Sequence, residues 1–282
     1  MNISLTFEPI NADAHLSGKT LLHHHRLISS ILQTAVQWQV IIANPCDRVK
    51  APRAESAKPK FLDEVGATQL LEFLDYEDDI QFVTAIKLSL YTGFRRGELC
   101  GLEWSDIDLE KNIIHICRSS LYLPDRGIYT DETKNETSTR TIKVPLTVIA
   151  TLNDYKTWQT EYRTSVGDQW IEHDRLFTSW NGLPIHPDTL TGKFKKFIKK
   201  YNLPPINIHS LRHTNATLQI AGGVNLVTVA KRLGHANAAT TTKIYAHAIR
   251  SADAAASEVL ENILSPVNHA MRKSGESKYH KH

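Results

Sequence analysis

Two neighbouring stretches decide how this chain is read: IHSLRHTNATLQIAGG at residues 208–223 and VAKRLGHANAATTTKIYAH at residues 229–247. His209 and Arg212 stand three apart, a spacing that sets both on one face of a helix. Gly234 follows Leu233, where a glycine ends a helix in the left-handed conformation and presents His235 at that end. Tyr245 comes ten residues later. Upstream, YTGFRRGELCGLEW at 91–104 adds Arg95 just past the Thr92-Gly93 turn, with Glu98 one helical turn on to hold it. A stable phosphodiester yields only if its developing charge is neutralised, a nucleophile is set in line and the departing oxygen is protonated. Arginine holds two phosphate oxygens with a fork that never loses its charge. Histidine titrates near neutral pH, which makes His209 the expected group for general acid/base work, and tyrosine carries an oxygen nucleophile. With no metal-ligand motif and no cofactor fingerprint in the sequence, the expected chemistry is phosphoryl transfer through a protein-linked intermediate, metal and cofactor none.

These motifs resemble those of the tyrosine recombinases, the family of phage and transposon integrases, and the likeness covers most of the chain. Thr-Gly-x-Arg followed by ELCGLEWSDI, LRHT preceded by its histidine, Leu-Gly-His, and the tyrosine of TTTKIYAH carry it. The resemblance implies six catalytic residues: Arg95, Lys134, His209, Arg212, His235 and Tyr245. Arg96 is set aside for Arg95. His213 is read as structural and pointing elsewhere, because the second histidine of LRHT is not catalytic in the family. Lys134, in TDETKNETSTRTIKVP, matches the family's leaving-group acid, with Lys143 as runner-up. Tyr245 attack would leave a 3′-phosphotyrosyl link and a free 5′-hydroxyl. The link keeps the phosphodiester energy, so rejoining needs no ATP. The implied partners are double-stranded DNA, a homo-tetramer assembled on it, and accessory DNA-bending proteins.

Composition sets looser bounds. The 282 residues, 41% hydrophobic and 22% charged, suit a globular fold of one large domain or a large and a small one. A net charge of +3 identifies no partner by itself. Two local runs say more: Lys193, Lys195, Lys196, Lys199 and Lys200 in KFKKFIKK, and a stretch of Arg48, Lys50, Arg53, Lys58 and Lys60 broken by Glu55. Lysines beside DNA gain affinity by releasing counterions, although a solvated helix face is the plainer account of a single run. Cys46, Cys100 and Cys117 lack paired spacing and suit a reducing cytoplasm, two of them as small core residues. No signal peptide or membrane-spanning run is read, so the expected location is the bacterial cytoplasm, with the nucleoid. The adjacent His23, His24 and His25 diverge on a helix and are read as surface residues rather than a metal site.

The expected architecture is mainly α (α+β): an integrase-like catalytic domain, helical with one small antiparallel sheet, preceded by a partial helical core-binding domain. Residues 1–50 form that DNA-clamping part, with a helix from 17 to 43 stopped by Asn44-Pro45. It is shorter than the family's domain, which predicts one or two missing helices. Residues 51–60 are the linker, 61–265 the catalytic domain and 266–282 a polar tail. Helices are expected after Asp63, up to Gly93, over 146–164 and over 187–201, with strands around Ile113–Ile116 and in TSTRTIKVP. IRSADAAASEVLENIL reads as an amphipathic helix that packs either on its own domain or, as the resemblance offers, on a neighbouring protomer. Two further readings compete with a site-specific recombinase: a type IB topoisomerase-like nicking-closing enzyme, and a shortened DNA-binding remnant. The complete set of six residues argues against decay.

Overall fold

A computed structural model of the chain describes residues 16–54, 59–132 and 139–235, together with Thr242 and Tyr245. The chain divides into two compact units near residue 58.

In the first unit, α1 (Gly18–Gln37) starts where the Ser17 hydroxyl accepts the Thr20 amide. It stops six residues before the expected end. Gln39 adopts a positive φ of 58°, and the Val40 amide turns back to the Ala35 carbonyl, so the apolar run Val40–Ile42 is not helical. A short 3-10 turn at Pro45–Arg48 follows, tied to α1 by Asn44, whose side-chain amide donates to the Ser29 carbonyl at 3.0 Å. No residue of α1 is buried, so the apolar stripe read from its sequence finds no core within this unit's described residues.

The second unit begins with α2 (Glu64–Leu74), capped by Asp63 as expected. Next, α3 (Ile80–Thr92), capped by Asp79, buries Phe82, Ala85, Ile86, Leu88 and Leu90 and forms the middle of the core. Gly93 ends it with φ +68°, and α4 (Arg96–Gly101) starts after Arg95. Strands β1 (Ile107–Asp108), β2 (Ile113–Ile116) and β5 (Arg140–Lys143) make an antiparallel sheet in the order β1-β2-β5, with Ile114 opposite Ile142. Both isoleucines are buried, which fixes the register.

The expectation of a single sheet is corrected here. Strands β3 (Arg118–Leu123) and β4 (Gly127–Glu132) form a separate two-stranded hairpin, against which α4 packs. Four helices complete the unit: α5 (Leu146–Val166), α6 (Pro187–Lys200), α7 (Ile208–Ala221) and α8 (Leu226–Leu233). Tyr155 is fully enclosed, its hydroxyl 2.8 Å from both Gln81 Oε1 and the Leu176 carbonyl. Of the two core cysteines expected, one is found: Cys100 is buried, whereas Cys46 and Cys117 are partly exposed. Among the described residues no helix is long and apolar enough to cross a membrane. The polar tail, the amphipathic segment after Tyr245 and Lys58 lie outside the described residues.

Candidate active site

Two helix ends meet in the second unit. Gly93 closes α3 and Gly234 closes α8, both with left-handed backbone (φ +68° and +65°). A helix C-terminus leaves carbonyls without amide partners and carries partial negative charge. Arg212, on α7, fills the gap between the two ends. Its Nη1 donates to the Gly93 carbonyl at 2.8 Å and its Nη2 to the Leu233 carbonyl at 2.7 Å. The side chain is only 2% exposed. Burial, with help from nearby Arg95, pulls its pKa down to about 10, still well above neutral, so the guanidinium stays charged.

Arg95 approaches from the start of α4 and is more open to solvent. Its Nη2 donates to the Gly234 carbonyl at 2.9 Å and its Nη1 to Glu98 Oε1 at 2.7 Å. Glu98 also accepts the Arg95 backbone amide at 2.9 Å, so one carboxylate fixes both the turn and the side chain. The sequence reading missed the third member of this group, Arg140. From the first position of β5, Arg140 reaches both Glu98 oxygens and donates through Nε to the Arg232 carbonyl at 2.7 Å. One signal for it was available. Arg140 shares a strand face with buried Ile142, and a cation on an apolar face demands a buried anion.

His209 is the exposed residue of an otherwise buried first turn of α7, its pKa lowered by desolvation and by the neighbouring Arg212 and Arg95 charges. His235, just past Gly234, is half-buried. Burial, then Arg212 and Arg95, hold it down to about 4. Tyr245 is 1% exposed, its ring enclosed by Ala216 and Ile220 of α7 and Val229 and Leu233 of α8. Burial pushes its phenol up to about 12 despite the opposing pull of Arg212.

The expectation that His213 points away from the site is corrected. His213 is four residues after His209 and therefore shares its helix face, and their rings meet edge-on at 4.8 Å. Its Nδ1 lies 2.9 Å from the Tyr245 hydroxyl. Arg95, His209, Arg212, His235 and Tyr245 thus come together in one cluster, with Glu98 holding Arg95. Lys134 falls outside the described residues, and Lys143 lies in β5.

The basic residues divide by surroundings. On α6, Lys193 pairs with Asp79 at 2.5 Å and Lys200 with Glu77 at 2.7 Å, while Lys195, Lys196 and Lys199 are exposed on the face opposite Phe194, Phe197 and Ile198. In the first unit, Arg48, Lys50 and Arg53 are exposed.

Residues 60–251 match the profile of the phage integrase family. The ICEBs1 integrase of Bacillus subtilis (strain 168) is 28% identical over 249 residues, which cover 88% of this chain and 67% of that protein. The transposase from transposon Tn916 of Enterococcus faecalis is 29% identical over 243 residues, covering 82% and 58%. Among solved structures, the Tn1549 transposon integrase in complex with transposon right-end DNA superposes with a TM-score of 0.74 at 27% identity, covering 87% of this chain and 80% of that one. A lambda integrase dimer bound to a core site, 16% identical with a TM-score of 0.55, shares the fold.

Proposed function

This chain belongs to the phage integrase family of tyrosine recombinases, and from that premise we propose that Tyr245 is the nucleophile with which it cuts and rejoins DNA. The activity is site-specific recombination. Arg95 and Arg212 hold the non-bridging oxygens of the scissile phosphate and offset the charge that grows as the phosphorus becomes five-coordinate. His209 and His235 supply hydrogen bonds to the same oxygens. Lys134 protonates the departing 5′-oxygen. The product of the first step is a 3′-phosphotyrosyl bond and a free 5′-hydroxyl, and the reverse attack by a 5′-hydroxyl of the other duplex completes the exchange.

One observation carries this reading. The Tyr245 hydroxyl lies against the α7 face that bears His209, Arg212 and His213, so nucleophile and charge-neutralising groups share one pocket. The substrate is double-stranded DNA, supported by the DNA-bound Tn1549 relative. We infer further that the first unit, with exposed Arg48, Lys50 and Arg53, clamps the duplex, that the linker spans residues 51–60, and that the catalytic domain runs from 61 to 265. A homo-tetramer on DNA, aided by accessory bending proteins, would bring two duplexes together. The deciding experiment traps the covalent adduct on a nicked duplex and resolves it on a denaturing gel. Wild type yields the adduct and Tyr245→Phe does not. An adduct that persists in Tyr245→Phe sinks the assignment.

A further inference from the structure

Resting on the reading of Tyr245 as nucleophile, we propose that His213 is a catalytic residue that holds the Tyr245 hydroxyl and takes its proton as that oxygen bonds to phosphorus. The geometry supplies the acceptor. His213 Nδ1 lies 2.9 Å from Oη, within hydrogen-bond reach, with the rings tilted at 58° and 5.7 Å between centroids. Among the described residues, His213 is the hydrogen-bond partner of that hydroxyl. The two histidines of α7 divide the work: His209 stands beside Arg212 and Arg95, the phosphate-holding groups, and His213 stands one turn further along beside the nucleophile.

The charge state fits an acceptor. The groups facing His213 are His209 and Arg212 from its own helix, His235 from the end of α8, and Tyr245. Burial, with His209 and Arg212, holds His213 down to about 4, so its ring is neutral at neutral pH and one nitrogen is open to the phenol. The phenol, raised to about 12, keeps its proton until a phosphate arrives. Transfer ahead of attack is therefore excluded, and the proton moves as the Oη–P bond forms and the phenol turns acidic. In balance, Oη–P forms, P–O5′ breaks, the Oη proton goes to His213 Nδ1, and O5′ gains a proton from the leaving-group acid. Rejoining returns the proton to Oη. A bound phosphodiester also offsets the positive charge of Arg212 that depresses His213, which strengthens the base when it is needed.

The test uses the whole chain and a nicked duplex recovered as the wild-type covalent adduct from a pool with randomised arms. The same duplex is also made with sulfur as the bridging 5′ atom, a leaving group that needs no acid. His213→Phe and His213→Asn, the second keeping a polar atom near the Nδ1 position, are expected to bind the duplex in a gel shift as wild type does. Both are expected to form the adduct about 10²–10⁴-fold more slowly at neutral pH. Their rates should climb with pH, by about tenfold per unit, as hydroxide replaces the missing base, and bridging sulfur should not restore them. A merely structural histidine produces no such pH slope. Restoration by sulfur would assign His213 to the leaving group and overturn the proposal. Near wild-type rates in both variants would overturn it while leaving Tyr245 as nucleophile. No adduct from wild type, or an adduct from Tyr245→Phe, removes the parent reading and this proposal with it.

Discussion

Arg140 closes on the carboxylate of Glu98 from across the domain, with Nη2 2.8 Å from Oε2 and Nη1 3.1 Å from Oε1. Their side chains are 8% and 4% exposed. Burial alone would raise the Glu98 pKa, but the Arg140 hydrogen bonds and charge, seconded by Arg95, hold it below the ordinary value of 4.5. Removing one partner of a buried pair costs about 3–5 kcal/mol where it strands the other, and removing both costs less. Without Arg140, Glu98 keeps the more exposed Arg95, which puts the loss at the lower end, about 3 kcal/mol. Arg140→Met is therefore expected to lower the unfolding free energy by that amount in denaturant titrations. Arg140→Met combined with Glu98→Met should be more stable than the sum of the single losses implies. Additivity within about 0.5 kcal/mol would mean the two side chains are not coupled.

Gly93 has a second constraint besides its left-handed backbone. A Cβ there would stand 2.6 Å from Leu233 Cδ2 and 2.9 Å from Asn215 Oδ1, and the Gly93 carbonyl is one of the two that hold Arg212. The left-handed conformation costs an alanine roughly 1–2 kcal/mol, and overpacking adds about 1–3 kcal/mol. Gly93→Ala is expected to lower the melting temperature. Adduct formation, measured well below that temperature, should also fall, because Arg212 and Arg95 shift with the turn. A folded Gly93→Ala protein with wild-type adduct yield would show that the turn does not set the arginines.

The legible parts of this molecule are those specified locally. Asp63, Asp79 and Asn207 cap their helices with side-chain oxygens, and Gly93 and Gly234 end theirs, all readable within a few residues. The β3–β4 hairpin was not readable, because Leu121, Tyr122 and Leu123 are successive exposed apolar residues and no alternation marks them as a strand. Helix α1 was read too long because a left-handed Gln39 breaks a pattern that hydropathy continues. In the site, His209 and Arg212 follow from helical spacing, and the i to i+4 relation of His213 was equally available. Its partner was not: Tyr245 lies 32 residues on, and Glu98 is separated from Arg140 by 42. Pairings at that range are set by how α4, α7, α8 and β5 pack.

Histidine protonation opposes this fold. His213 and His235 sit at about 4 in the folded chain, against an ordinary 6.5. Between those values the unfolded chain binds more protons than the folded one, so stability rises with pH across that window. The contribution is complete above about 6.5 and is lost as pH falls towards 4. Glu98 adds its own loss only below 4.5, as its depressed carboxylate takes up a proton. Urea midpoints measured across the window are expected to fall steadily with decreasing pH, and less steeply in His213→Asn and His235→Asn. A flat profile between 6.5 and 5 would contradict the burial of both imidazoles.

The lysines of α6 separate into two groups that salt dependence can tell apart. Lys193 and Lys200 are tied to Asp79 and Glu77 in the connection between α2 and α3, whereas Lys195, Lys196 and Lys199 present their charges to solvent. Each phosphate neutralised on duplex DNA contributes about 0.9 to the slope of log K against log salt. If α6 faces the duplex, replacing Lys195, Lys196 and Lys199 together by alanine makes that slope shallower by about 0.9 for every lysine in contact, and weakens binding to all sequences alike. Lys193→Ala should leave the slope within error, since its charge is already engaged by a carboxylate. An unchanged slope in the triple variant would identify the run as an ordinary solvated face, and an altered slope in Lys193→Ala would mean that the Asp79 pair opens when DNA binds.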